Sequence, residues 1–154
     1  MSGHQGIDLR DHLAPSQVID LTACSKGDAL VEMVDAVATT DAVADRDALL
    51  DAVRAREKIL STGIGLGIAI PHARIDSVNR FVVAVGRHPG GLAFESIDQK
   101  PVHIVVLIAG PKDTQKPYLE LLAQLSKRLK LTDVRSRIAA GATADEVVEL
   151  LTEA

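Results

Sequence analysis

His72 closes a segment of unusual spacing, Ser61-Thr-Gly-Ile-Gly-Leu-Gly-Ile-Ala-Ile-Pro-His-Ala-Arg74. Glycines at alternate positions, Gly63, Gly65 and Gly67, free the backbone to approach a ligand and to turn N–H groups toward an anion. With Ser61 and Thr62 they make a candidate phosphate loop. The apolar run from Ile68 to Ile70 predicts a short strand, and Pro71 removes a donor and fixes φ just before the imidazole. A neutral imidazole is a competent nucleophile near pH 7, since its ordinary pKa is about 6.5. Arg56 and Arg74 lie close in sequence, and a guanidinium fork suits the charge of a phosphoryl group. These residues point to phosphoryl acceptance. A glycine-rich turn feeding a buried strand, beside an incidental histidine, fits the same spacing equally well. The Gly-x-Gly-x-Gly order is not the dinucleotide-binding fingerprint and precedes its strand.

The other four histidines carry less. His4 and His12 lie in or near the N-terminal tail, His88 precedes the turn Pro89-Gly90-Gly91, and His103 stands in an apolar strand as a hydrogen-bonded core or edge residue. None is spaced with another at i, i+3 or i, i+4, and none pairs with Cys24, so no metal site is expected. A hydrolase using His72 as general base would need a companion nucleophile, and no Gly-x-Ser-x-Gly elbow exists. The lone Cys24 excludes an internal disulfide and fits a reducing compartment.

The chain that must position these groups has 154 residues, the length of one domain, with 47% hydrophobic and 25% charged residues. Phe81, Phe94 and Tyr118 are its only aromatics, so the core is built from aliphatics and no stacking platform for bases exists. Seventeen basic against twenty-one acidic residues give a net charge of −4, which argues against a nucleic-acid partner. The polar N-terminus lacks the apolar region of a signal peptide. The uncharged stretch from Ile59 to Ala73 is too short, and too rich in Gly and Pro, to span a membrane. A soluble cytoplasmic protein is expected.

Periodicity predicts a loose tail over residues 1–6 and one domain over 7–154. A β-like run covers Gln17 to Leu21. Ser25 and Asp28 open an amphipathic helix through Thr39 with Leu30, Val31, Val34 and Val37 on its apolar face. Asp45 caps a second helix carrying Leu49, Leu50 and Val53, which closes on Arg54, Arg56 and Lys58. Strands are expected over Gly67–Ile70, Phe81–Gly86 and Val102–Ala109, the last covered on both faces. A helix over Gln115–Lys130 places Leu119, Leu122, Leu125 and Leu129 on one face. A short helix over Asp133–Ala140 ends at Gly141, and Thr143 with Glu146 forms a capping box. The order implies a three-layer α/β/α single domain with a mixed β-sheet flanked by helices.

The run Arg56-Glu-Lys-Ile-Leu-Ser-Thr-Gly-Ile-Gly-Leu-Gly-Ile-Ala-Ile-Pro-His72 closely resembles the signature of the fructose/mannitol-type (type-2) enzyme IIA domains of the bacterial phosphoenolpyruvate-dependent phosphotransferase system. Its Ser-Thr-Gly-Ile-Gly form is most similar to the nitrogen-regulatory branch. The likeness continues through Phe94-Glu-Ser-Ile-Asp-Gln-Lys-Pro-Val102 and into the helix near Gln115. The resemblance implies that His72 is phosphorylated and that Arg56 lies against the phosphoryl group. It also implies that Tyr118 occupies the position of the family's second histidine. The partners it implies are an HPr-like phosphocarrier as donor and an EIIB domain or regulatory targets downstream; no metal or organic cofactor follows from it. Its implied role is a phosphohistidine carrier acting mainly in regulation. The alternatives are a sugar-transport EIIA component and a regulatory binding module that is not phosphorylated. Ile64, Leu66 and Ile68 or Ile70 are the expected partner contacts around His72.

Overall fold

The computed structural model describes residues 6–153. The expected tail therefore lies outside the described residues except for Gly6. Six strands form one mixed sheet: β1 (Val18–Asp20), β2 (Gly63–Gly65), β3 (Ile68–Ala69), β4 (His72–Arg74), β5 (Val82–Leu92) and β6 (Val102–Gly110). Their order is β1-β5-β6-β3-β2, with β4 also on β6. β5 and β6 are antiparallel, whereas β1 on β5 and both β3 and β4 on β6 are parallel.

Strand alternation splits the core in two. Val105, Leu107 and Ala109 of β6 pack with α1 (Lys26–Ala38) and α2 (Arg46–Ile59) on one face. Ile104, Val106 and Ile108 pack on the other with α3 (Gln115–Leu129), α4 (Thr132–Ala139) and α5 (Ala144–Thr152). β6 is thus covered on both faces, as its unbroken apolar run requires. The caps fall where the side chains predict. Ser25 accepts from the Asp28 N–H, Asp45 from that of Ala48, and Thr143 and Glu146 bond reciprocally.

Three expectations need correction. The segment His88 to Gly91 is not a free turn but an irregular stretch inside β5. There the register steps from Arg87↔Ile104 to Leu92↔Val102, and Gly91 absorbs the misfit at φ +81. On α3 the inward stripe is Tyr118, Leu121, Leu125 and Leu129, and Leu119 is 49% exposed. The sheet selects that stripe, which includes the aromatic at the helix start. Two very short strands, β2 and β4, were not foreseen, and the second carries His72.

β3 and β4 run end to end along the same edge of β6, pairing with Ile104–Val105 and then Ile108–Gly110. Pro71 sits at the join, and its carbonyl accepts the Ile108 N–H at 3.1 Å. His72 therefore lies at the carboxyl ends of parallel strands, next to the loop that leads from β6 into α3. That is where open α/β sheets place their ligand sites. The join tolerates no added bulk. A Cβ at Gly110, opposite Arg74, would enter the buried Phe81 ring, whose Cζ would be 2.8 Å away. Gly110→Ala is expected to lower stability by about 1–3 kcal/mol in urea unfolding, the usual effect of overpacking; an unchanged midpoint would contradict this packing.

Candidate functional site

The helix-capping and strand-pairing rules bring four elements to one open cleft. α2 contributes Ala52, Ala55, Arg56 and Ile59; β4 contributes His72 and Arg74; the β6–α3 loop contributes Lys112 and Asp113; and α3 begins with Gln115. Three cations face one carboxylate. Among the described residues none of Arg56, Arg74 and Lys112 has an acidic partner within ion-pair distance. The cleft is thus a focus of positive charge on a chain of net charge −4, suited to an anion.

His72 is half-buried. Its Nδ1 lies 3.2 Å from the carbonyl oxygen of Ile70. A carbonyl only accepts, so Nδ1 carries the proton and Nε2 keeps its lone pair. Burial is the main reason that the His72 pKa lies below its ordinary 6.5; Arg56 and Arg74 push the same way, against the Ile70 carbonyl and Glu57. The ring is therefore held as the neutral imidazole with one aimed nucleophilic nitrogen. Tyr118 sits beside it, ring centroids 4.9 Å apart at 34°. The Arg74 guanidinium stands 5.3 Å from the centroid of the tyrosine ring. Burial raises the Tyr118 pKa above 10, so the phenol stays neutral at pH 7. Arg56 is tethered to the end of its own helix by donating from Nη1 to the Leu60 carbonyl at 2.8 Å.

The structure thus brings His72, Arg56, Arg74 and Tyr118 together. It does not bring in the glycine segment, because Ser61, Thr62, Gly63, Gly65 and Gly67 do not line the cleft. Leu66 and Gly67, at φ 60 and 75, are the central residues of a two-residue turn joining antiparallel β2 and β3. Positive φ at both positions is the hairpin geometry that matches strand twist. Gly63 is required by close approach, since a Cβ there would meet the Ser96 backbone at 2.9 Å. Ser61 donates to the Phe94 carbonyl and Thr62 to the Glu57 carboxylate. Ile68, directly after the turn, pairs four rungs along β6 from His72, a separation on the order of 13 Å. The candidate phosphate loop forms a hairpin outside the cleft lining. Of the expected partner contacts, Ile64 and Leu66 are 51% and 58% exposed, while Ile68 and Ile70 are core. Ile59, Leu60 and Ile97 add exposed aliphatic surface that sequence periodicity did not single out.

The other described histidines are hydrogen-bonded to carbonyls away from the cleft: His12 to Phe81, His88 to Ala23 and His103 to His88. Lys112 and Gln115 were not foreseen. The signal that could find them is position, since they directly follow a buried strand at the edge where helix α3 begins.

Residues 14–154 match the family model described as phosphoenolpyruvate-dependent sugar phosphotransferase system, EIIA 2. The chain is 34% identical over 143 residues to the fructose-specific EIIA component of the phosphotransferase system from Haloferax volcanii, covering 92% of this chain and 93% of that protein. The crystal structure of nitrogen regulatory protein IIA-Ntr from Neisseria meningitidis superposes with a TM-score of 0.87 at 27% identity, covering 94% of this chain and 99% of that one. Mannitol enzyme IIA of Escherichia coli, solved in complex with phosphorylated enzyme IIB, shares the fold at TM-score 0.79 and 24% identity, covering 90% and 96%.

The lowered pKa gives a direct check. As pH falls past 6.5 the imidazole stays neutral and protonates only at the lower folded value. An NMR titration of His72 is expected to give a midpoint below 6.5, rising in Arg56→Gln as one repelling cation is lost. A midpoint at or above 6.5 would contradict the burial argument.

Proposed function

The chain belongs to the EIIA 2 family of the phosphoenolpyruvate-dependent sugar phosphotransferase system, and we propose that His72 is its phosphoryl-carrying residue. EIIA proteins are phosphotransferase components. The observation that carries the reading is the imidazole held as the Nδ1–H tautomer, with Nε2 free, in a cleft of unpaired cations. The donor is an HPr-like phosphocarrier bearing its own phosphohistidine. The Nε2 lone pair attacks phosphorus in line. The donor's P–N bond breaks as the new one forms, and the electron pair returns to the donor's ring nitrogen. The ring of His72 gains positive charge, which the Ile70 carbonyl stabilises through Nδ1–H. Arg56, with Arg74 near the ring, neutralises charge on the equatorial oxygens; positioning and charge account for most of such a transfer.

Regulation is the leading role. In the family's pattern a second histidine stands where this chain has Tyr118. A neutral phenol placed there donates a hydrogen bond but no positive charge, so it supports a lasting phosphohistidine more than rapid onward transfer. A second reading, delivery to a fructose-type EIIB domain, is favoured by the 34% identity to a fructose-specific component. The exposed Ile59, Leu60, Ile64 and Leu66 supply apolar contact for either partner. No helix among the described residues is long and apolar enough to cross a membrane.

Incubation with phosphoenolpyruvate, enzyme I and HPr is expected to place an acid-labile phosphoryl group on the intact protein and none on His72→Ala. Arg56→Ala is expected to slow uptake by about 10²-fold, with Arg56→Lys recovering part of it. Label on the His72 variant, or no label on the intact chain, would overturn the carrier reading. Adding a fructose-type EIIB separates the two roles: slow or no passage of label favours regulation, and rapid passage favours transport.

A further inference from the structure

Four buried side chains among the described residues are polar or charged: Gln17, Glu57, Thr62 and Ser96. Three of them surround the start of β2, and Glu57 is the one with a formal charge. Both of its carboxylate oxygens are used. Oε2 accepts from Lys26 Nζ at 2.7 Å and from the Thr62 N–H at 2.9 Å, and Oε1 accepts from the Thr62 hydroxyl at 2.6 Å. Lys26 also reaches the exposed Glu95 carboxylate at 3.3 Å and the Phe94 carbonyl at 3.4 Å, and its ammonium stands 4.8 Å from the centroid of the Phe94 ring. Burial alone would raise the Glu57 pKa, but the bonds from Lys26 and Thr62 prevail and hold it below the ordinary carboxylate value. The side chain is ionised.

Glu57 is buried and Lys26 partly so, and an ion pair taken out of water seldom stabilises a fold more than apolar packing of the same volume would; its best-attested use is to fix geometry. Here the geometry it fixes leads to the site. The Thr62 carbonyl accepts the Ile70 N–H at 3.0 Å, and the Ile70 carbonyl is the acceptor for His72 Nδ1–H at 3.2 Å. Ile70 lies beyond the last paired residue of β3, and Pro71 after it has no N–H to donate, though its carbonyl accepts the Ile108 N–H. On the β2 side the bond that seats Ile70 is the one from its N–H to the Thr62 carbonyl.

We infer that the Lys26–Glu57 ion pair is a positioning device for the acceptor histidine: through Thr62 and the Ile70 peptide it sets the tautomer and aim of the His72 ring. The inference rests on His72 as the phosphoryl acceptor. Glu57 touches neither donor nor phosphoryl group and acts only through this series of hydrogen bonds. It also follows Arg56 on α2, so the same clamp seats the helix end from which the arginine reaches the cleft.

The test uses the full chain with Lys26→Met and Glu57→Gln combined, which removes both charges and leaves none buried alone. Two readouts go beyond folding. The first is the ¹⁵N spectrum of His72, expected to show a single Nδ1–H tautomer in the intact protein and a mixture in the double variant. The second is phosphoryl uptake from phosphorylated HPr. The rate at saturating donor is expected to fall about tenfold while the half-saturating donor concentration stays within about twofold, because aim is lost and docking is not. A folded double variant that keeps the single tautomer and the original rate would overturn the inference. If that variant does not fold, Thr62→Val and Thr62→Ser decide it. Loss of the single tautomer in the first and its recovery in the second support the clamp, and an unchanged spectrum in Thr62→Val refutes it. If the intact protein takes up no phosphoryl group, the carrier reading fails separately, and the tautomer spectra still decide whether the ion pair orders the ring.

Discussion

The hydrogen bond from His72 Nδ1–H to the Ile70 carbonyl decides which ring nitrogen this protein can offer to a partner. With Nδ1 committed, Nε2 is the free acceptor, and burial beside Arg56 and Arg74 keeps it unprotonated. Much of the fold around the cleft serves that one contact. β3 and β4 share an edge of β6 so that the chain can bend at Pro71 without leaving the sheet. β6 itself is immobilised by apolar layers on both faces.

A site that receives an anion must hold positive charge without spending it on internal ion pairs. The described salt bridges lie elsewhere: Lys26 with Glu57 and Glu95, Arg46 with Asp35 and Asp47, Arg80 with Asp41, Arg87 with Asp20 and Arg128 with Glu153. Even the buried Glu57, next in sequence to Arg56, pairs with Lys26 and leaves the arginine without an acidic partner among the described residues. The division separates an ion pair that joins α1 to α2 from the cation on the cleft side of α2.

The layers, the main helices with their caps and the central strand were legible in the sequence because each follows from a local rule. Ser25, Asp45 and Thr143 cap the helices they precede, and the apolar run of β6 has no other use. Within the site, His72 stood out by Pro71 and by family likeness, Arg56 by its closeness in sequence and by likeness, and Tyr118 by likeness alone. The glycine segment was legible only as two alternatives, because alternate glycines serve an anion loop and a tight hairpin equally well. Only the pairing of β2 with β3, and the closeness of Ser96 to Gly63, tells the two apart. The inward turn of Tyr118 and outward turn of Leu119 depended on how α3 sits on the sheet. The Lys26–Glu57 pair joins two helices across 31 residues of sequence, and no local pattern marks it.

The central claim is that one nitrogen of one histidine carries the phosphoryl group. The measurement that tests it most directly is ³¹P and ¹⁵N NMR of the uniformly ¹⁵N-labelled protein after phosphorylation by phosphorylated HPr. The account predicts a single phosphorus–nitrogen coupling, assigned to Nε2 of His72, with Nδ1 still protonated. Coupling to Nδ1 of His72, or to a nitrogen of any other histidine, would contradict it.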